Sequence, residues 1–288
     1  MGVDSTAATI TISTSGDDGE ITFTGTAGDE IGVAVTNMSI GSSSCCGAIV
    51  TVRKPDGSYL HSASVGTSDS EHDLPTLPVS GTYTIFVDPQ GTNTGSATFL
   101  LSRDAMGVAA VVDGSAGDVA TSRAGQNGRL TFTGVAGDDI GMAVTNMSIG
   151  SSSCCGAIVT VRKPDRSYLH SASVGTSDSE HDLPTLPVSG TYTIFVDPQG
   201  TNTGAATFLL SRDVTAAAGT VDGEWDLTIS RRGQNARVQF TGSAGTELHI
   251  GADNVTIGTS TCCGLLISIR KPDGSNLTPK GFGTNGGS

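Results

Sequence analysis

Apolar and polar residues alternate along short stretches of this chain, and turn residues separate the stretches. Ile21 and Phe23 share one side of an extended segment, and Tyr83, Ile85 and Val87 share one side of another. Alternation with a period of two predicts strands that bury one face, and no segment has the 3.6-residue period of an amphipathic helix. We therefore predict an all-β fold.

Two local features refine this pattern. Met38 and Ile40 are out of phase with the apolar residues that precede them, which predicts a β-bulge near Asn37. The sequence Lys-Pro-Asp-Gly at 54–57 predicts a turn in which proline presets φ and Gly57 takes a positive φ.

The chain is a tandem repeat. Residues 34–104 and 143–213 are the same 71-residue text, differing only at Gly57/Arg166 and Ser96/Ala205. A third, more divergent unit follows, and it contains no counterpart of residues 181–213. We predict three domains, two complete (1–104 and 105–213) and one incomplete (214–288) that lacks its last strands.

About eight strands per complete unit, with turns every 8–12 residues, are typical of a sandwich. The predicted fold is therefore a series of tandem antiparallel β-sandwich domains of the jelly-roll or Ig-like kind.

Three motifs follow one another in the first unit. They are Thr-Ala-Gly-Asp at 26–29, Pro-Asp-Gly at 55–57 and Leu-Pro-Val-Ser-Gly-Thr-Tyr-Thr-Ile at 77–85. This order resembles the bacterial pre-peptidase C-terminal domain, and the Cys-Cys-Gly segment is similar to repeats in large bacterial surface proteins. The resemblance implies a β-sandwich attached to secreted enzymes or surface proteins.

Members of that family that bind Ca²⁺ use clustered acidic residues near the start of the domain, which here implies Asp17, Asp18 and Glu20. In the second unit the same positions hold Gln126, Asn127 and Arg129. We therefore expect no metal site common to the two units at this place.

The chain carries 28 acidic and 15 basic residues and a formal charge of −13. Such a surface repels nucleic acid and anionic lipid, so neither is expected as a partner, while it is compatible with Ca²⁺. No apolar run reaches the roughly 20 residues that span a bilayer, so we expect no membrane insertion. The first residues lack the pattern of a signal peptide, and we expect a mature product or a segment of a longer chain.

The cysteines occur as three adjacent pairs. Neighbouring Cα atoms lie closer together than in most disulfides, so a bond within a pair needs a distorted turn. A bridge to another unit or chain and free thiols are the alternatives. Zinc and redox sites favour other spacings. The candidate disulfide residues are Cys45, Cys46, Cys154, Cys155, Cys262 and Cys263.

Other polar motifs give weaker signals. Asn37, Asn146 and Asn254 begin sequons at equivalent positions and are candidate glycosylation sites, although a bulge explains Asn37 as well. Glu-His-Asp at 71–73 is expected in a solvated loop. The nucleophile elbow, zinc-protease and P-loop signatures are absent, so we assign no catalytic, cofactor-binding or metal residue.

The repetition, the acidic surface and the incomplete last unit together favour a non-enzymatic protein, structural or adhesive, at the cell surface or outside the cell. We expect it to form a filament in which strand complementation of the third unit joins copies of the chain. A surface glycan or a matrix protein is a further expected partner. The alternative is a carbohydrate- or protein-binding accessory module of a secreted hydrolase.

Overall fold

The computed structural model describes residues 1–41, 47–150, 156–258 and 264–282 of the chain. All six cysteines lie outside these ranges. The described residues form strands, turns and irregular segments without a helix, so the predicted all-β class is confirmed for them. The chain divides into two compact units, Met1–Asp213 with Arg231–Gln234, and Val214–Ser230 with Asn235–Ser288.

The first unit contains two sandwiches. The strands of the first sandwich are β1 (Ala8–Ile12), β2 (Gly19–Gly25), β3 (Ile31–Thr36), β4 (Ala48–Arg53), β5 (Tyr59–Val65), β6 (Ser70–Asp73), β7 (Gly81–Pro89) and β8 (Gly95–Arg103). They form two antiparallel sheets in the orders β1-β8-β3-β6 and β2-β7-β4-β5. Two four-stranded sheets connected in this way form a jelly roll, which resolves the choice that the sequence had left between jelly-roll and Ig-like.

The second sandwich repeats this topology. Its strands are β9 (Ala105–Met106), β10 (Gly117–Thr121), β11 (Gly128–Gly134), β12 (Ile140–Thr145), β13 (Ala157–Arg162), β14 (Tyr168–Val174), β15 (Ser179–Asp182), β16 (Gly190–Pro198) and β17 (Gly204–Arg212). The sheets have the orders β10-β17-β12-β15 and β14-β13-β16-β11-β9, and the short β9 pairs with β11 in parallel.

Each sandwich encloses its own apolar core between the two sheets. In the first core the rings of Phe23 and Tyr83 stack with centroids 5.3 Å apart, and the Tyr83 hydroxyl donates to Val79 O at 2.6 Å. Phe132 and Tyr192 stack in the same way in the second core, at 5.1 Å. The alternating apolar residues of the strands supply these cores because successive side chains in a strand point to opposite faces.

The change of phase near Asn37 is present in the structure. Thr36 pairs with Thr98, whereas the N–H of Ser39 donates to Ser96 O at 2.8 Å, so β3 gains one residue over β8 between these two points. Asn37 takes a φ of 50°, a conformation that asparagine tolerates better than most residues. The shift keeps Met38 and Ile40 in the core, as the sequence predicts.

The second compact unit has only short pairings among its described residues. Its strands are β18 (Val214–Thr215), β19 (Gly219–Thr220), β20 (Ala236–Arg237), β21 (Phe240–Thr241), β22 (Leu265–Arg270) and β23 (Asn276–Phe282). They pair as β18-β20, β19-β21 and β22-β23. No residue of 214–277 whose burial is described is buried, so this part of the chain has no core comparable to those of the two sandwiches.

In the described part of the chain, no helix has the length and apolar character needed to cross a membrane.

The turn after β13 contains one of the two differences within the shared 71-residue text. Arg166 takes a φ of 68°, where its counterpart Gly57 takes 78°. The left-handed region costs a residue with a Cβ about 1–2 kcal/mol relative to its usual conformations. Arg166→Gly should therefore stabilise the second sandwich by about 1 kcal/mol in denaturant unfolding.

Gly57→Arg is the matched control, since it should destabilise the first sandwich by a similar amount. Equal unfolding midpoints for the wild type and both variants would contradict this account of the turn.

Candidate functional site

The loop between β10 and β11 of the second sandwich docks on the first sandwich. We call residues 123–127 of this loop the docking segment. The Arg123 guanidinium donates from Nε to the Ser102 hydroxyl at 3.0 Å and from Nη2 to Ser5 O at 2.6 Å. Ser102 is fully buried, so this hydroxyl is an acceptor set into the surface of the first sandwich at the end of β8.

Three further side chains, those of Gln126, Asn127 and Arg129, also contact the first sandwich. We call the contact surface between the two sandwiches, formed around the docking segment and Arg129, the joint. Gln126 Nε2 donates to Arg103 O at 3.0 Å, and Asn127 Nδ2 donates to the Asp73 carboxylate. Arg129, at the start of β11, bonds the carboxylate of Asp104 and lies 2.8 Å from that of Glu30. Its guanidinium also stacks over the ring of Phe195, 4.5 Å from the centroid.

Two glycines allow the backbones of the two sandwiches to touch. Gly125 has a φ of 69°, and a Cβ added to it would lie 2.7 Å from Ala34 N in β3. A Cβ added to Gly32 of β3 would lie 1.7 Å from Gly125 O. Neither position accepts a side chain without separating the sandwiches, because the obstructing atoms are backbone.

The same contacts recur on the second sandwich. Arg231–Gln234 follow the docking segment by 108 positions and belong to the first compact unit. Arg231 Nε donates to the Ser211 hydroxyl at 3.1 Å, and Gln234 Nε2 donates to Arg212 O at 3.0 Å. A Cβ on Gly233 would lie 2.8 Å from Ala143 N. The second and third repeats therefore each supply a docking segment of the same kind.

The first sandwich carries a different loop at the corresponding place. Thr14, Asp17, Asp18 and Glu20 stand where the second repeat has Arg123, Gln126, Asn127 and Arg129. All four are exposed, and a Cβ on Gly16 would meet nothing within 4 Å. Asp17, Asp18 and Glu20, which the family resemblance implies as Ca²⁺ ligands, thus occupy the positions at which the second repeat has residues of the joint.

Three carboxylates meet at the joint. Glu71 and Asp73 lie on one face of β6 in the first sandwich, and Asp197 comes from β16 of the second. One carboxylate oxygen from each lies within 4.8 Å of the other two. We call these residues the acidic triad; Glu71 and Asp197 are half-buried and Asp73 is exposed.

The environment of the acidic triad favours protonated carboxyls. Burial, followed by the charges of Asp73 and Asp197, raises the pKa of Glu71 to about 8. Burial, followed by the charges of Asp73 and Asp104, raises the pKa of Asp197 to about 7. Burial also raises the pKa of Asp104, against the opposing effect of its hydrogen bond to Arg129.

The expected loop at 71–73 is therefore wrong. These residues pair with β3 as the edge strand β6, and strand alternation places Glu71 and Asp73 on the same face. Asp197 is 126 positions from Glu71 and belongs to another repeat, so no pattern in the sequence indicates that they meet. Arg and Gln recur at 123 and 126 and at 231 and 234, whereas the first repeat has Thr14 and Asp17 at these positions. This difference was the available signal for the joint.

The candidate glycosylation residues Asn37, Asn146 and Asn254 are all exposed. Each has a positive φ of 49–51°. The six candidate disulfide cysteines lie outside the described residues.

No protein-family model and no curated protein matches the sequence. Solved structures that match the chain include the CUB1-EGF-CUB2 domains of human MASP-1/3, at 9% identity and a TM-score of 0.23, covering 71% of this chain and 99% of that one. The rat MASP-1 domains match at 11% identity and a TM-score of 0.22, covering 73% and 98%. The extracellular region of zebrafish Gpr126/Adgrg6 matches at 8% and 0.23, covering 73% of this chain and 36% of that one.

Replacement of Gly125 tests the docking contact. Gly125→Ala and Gly16→Ala both place a Cβ at a positive φ, at a cost of about 1 kcal/mol each, but only Gly125→Ala also pushes against the backbone of the neighbouring sandwich. We expect Gly125→Ala to speed hydrogen exchange in residues 31–36, and Gly16→Ala to leave it unchanged.

The peptide covering 140–145 is an internal reference, because it differs from 31–36 at Met142 and is separable by mass. Equal exchange of residues 31–36 in the two variants would contradict the docking contact.

The raised pKa values of Glu71 and Asp197 predict that the joint weakens as pH rises. A carboxyl with a raised pKa binds more protons in the folded state than in the unfolded state, so stability falls as pH climbs towards the folded value. We therefore expect the midpoint of thermal unfolding to fall between about pH 6.5 and 8.5 in a chelating buffer. The fall should be about 2–4 °C for each kcal/mol by which the free energy of unfolding decreases.

The charge of Asp73 acts on both carboxyls, and that of Asp104 acts on Asp197 as well. Burial, followed by the charge of His61, lowers the pKa of His72, so it titrates below this window. Glu71→Gln should flatten the slope. An unchanged slope in that variant would show that other groups cause it.

Proposed function

We propose that the chain is a non-enzymatic extracellular protein, structural or adhesive, in which jelly-roll repeats are joined in series. The observation that carries the proposal is the recurrence of the docking contact, made by Arg123 and Gln126 on the first sandwich and by Arg231 and Gln234 on the second. Repeats that make the same contact with the preceding repeat build a linear array with a fixed direction.

The joint supports a mechanical role because it is polar, directional and closely fitted. A flexible linker would leave neighbouring domains free to move, as is usual when few contacts cross the boundary. Here the buried Ser102 hydroxyl, the Arg103 carbonyl and the carboxylates of Asp73 and Asp104 are all used in docking. Such a joint fixes the angle between repeats and transmits force from one to the next.

The second compact unit supports assembly between copies of the chain. Phe240 and Leu248 occupy the positions equivalent to Phe132 and Ile140 of the second sandwich. Phe132 and Ile140 are each 2% exposed, whereas Phe240 and Leu248 are 37% and 38% exposed. In the complete repeat β16 and β17 lie beside these positions. We propose that strands from another copy cover them, by the strand addition that open sheet edges permit.

The side chain of His249 favours extension by strand addition, because it would obstruct a further docking contact at this unit. His249 stands where β3 and β12 have Gly32 and Gly141. Since a Cβ at Gly32 would overlap the incoming Gly125 carbonyl, a histidine there obstructs a docking segment of the same kind. Extension through this unit then needs a different contact.

Electron microscopy and light scattering of the purified chain test the proposal. We expect filaments or concentration-dependent oligomers, which Leu248→Asp should abolish by placing a charge among the surfaces that the incoming strands would cover. Val221→Asp is the control, as it alters another exposed apolar residue of the same unit. A wild-type chain that stays monomeric at all concentrations and binds a glycan array would support the accessory-module alternative instead.

A further inference from the structure

We propose that the acidic triad of Glu71, Asp73 and Asp197 is a Ca²⁺ site that bridges the first and second sandwiches. The inference does not depend on polymerisation, since all three residues lie within the first compact unit. The two halves of the site come from different repeats, so the site exists only when the sandwiches are docked.

The donor set fits this ion. Three carboxylates offer oxygens within 4.8 Å of one another. Ca²⁺ binds oxygen at about 2.3–2.6 Å, so two oxygens on one ion lie no more than about 5.2 Å apart, and the three carboxylates meet this limit. Asp73 is exposed, which leaves an entry route and room for water among the six to eight ligands of Ca²⁺.

A second observation, independent of the triad's composition, points to a missing ligand. Asp104, whose side chain is 6% exposed, has a covered Oδ1 without a hydrogen-bond partner. Asn127, 2% exposed, donates to Asp73 while its own Oδ1 is covered and unpartnered. The Oδ1 of Asp197, within the triad, is in the same state. Buried oxygens without partners are costly. A cation bound by the triad would satisfy the Asp197 oxygen and offset the charge of the neighbouring Asp104.

The local charge points the same way. The charges of Asp73 and Asp197 act on Glu71, and those of Asp73 and Asp104 act on Asp197, while Arg129 pairs with Asp104 and Glu30. No basic group pairs with Glu71 or Asp197 among the contacts described. Without an ion, the triad must hold protons to relieve the repulsion, whereas a divalent cation removes the need for them.

The repeats supply a matched control. Asp88 is the first sandwich's counterpart of Asp197, in identical surrounding sequence. Among the described residues, only the triad at the joint brings three such groups together, so Asp88 is not part of a comparable cluster. Asp197→Asn and Asp88→Asn therefore make the same chemical change inside and outside the proposed site.

Calorimetric titration of the full chain with CaCl₂ tests the site. We expect one site with a dissociation constant on the order of 10⁻⁴ to 10⁻³ M, as in extracellular calcium modules. Asp197→Asn should weaken binding by about tenfold or more by removing a charged ligand, and Asp88→Asn should leave it unchanged. Absence of binding to the wild type at about 10 mM Ca²⁺, or equal weakening in both variants, would overturn the proposal.

Thermal unfolding distinguishes a ligand from a purely structural residue. With a chelator present, Asp197→Asn should raise the unfolding midpoint because it removes a repelled carboxyl. With saturating Ca²⁺ it should lower the midpoint relative to wild type because it removes a ligand. The same sign in both conditions would contradict an ion-binding role. Filament formation is scored separately by microscopy, so failure of either proposal leaves the other open to test.

Discussion

The backbone contact between Gly125 and β3 of the preceding sandwich is the constraint on which the joint depends. Only glycine at 125 and at 32 allows the loop carbonyl to reach the strand, and the resulting proximity places Arg123 and Gln126 within hydrogen-bonding distance of buried acceptors. The charged contacts of Asn127 and Arg129 follow from the same placement. A single close approach thus organises polar groups from β3, β6 and β8 into one interface.

That interface explains why the loop before β11 differs in sequence from the equivalent loop of the first repeat. Contacts within a single repeat do not explain this difference. The second repeat carries Gln126, Asn127 and Arg129 where the first has acidic residues. Donors are needed at these positions because the surface opposite consists of a carbonyl and the carboxylates of Asp73 and Asp104. The same loop is acidic and exposed in the first sandwich, where it makes no comparable contact.

The acidic triad adds a condition to the docked state. Like charges brought together at a partly buried interface oppose docking unless protons or a cation offset them. Two opposing effects therefore act on the docked state. The hydrogen bonds around the docking segment stabilise it, and the repulsion among Glu71, Asp73 and Asp197 destabilises it. Under the proposed Ca²⁺ site, the stability of the joint would depend on pH and on Ca²⁺.

Much of the fold was determined by the sequence alone. The period-two alternation, the turn at 54–57 and the phase change at Asn37 are local, because each depends on backbone preferences and on one face of one strand. The tandem repetition was read directly from the 71 shared residues. The sheet order of a jelly roll, the edge strand at 71–73 and the joint were not predicted.

Those features depend on contacts between residues far apart in the chain. Glu71 and Asp197 lie on different sandwiches and come close together only when the sandwiches dock. The burial that raises their pKa values also exists only in the docked state. A periodic pattern states which side of a strand is apolar, but it does not state which surface that strand's polar side will face. The sequence by itself determined what each repeat is, and the tertiary structure decided how one repeat meets the next, because that meeting rests on a backbone approach and a charge cluster assembled across more than a hundred residues.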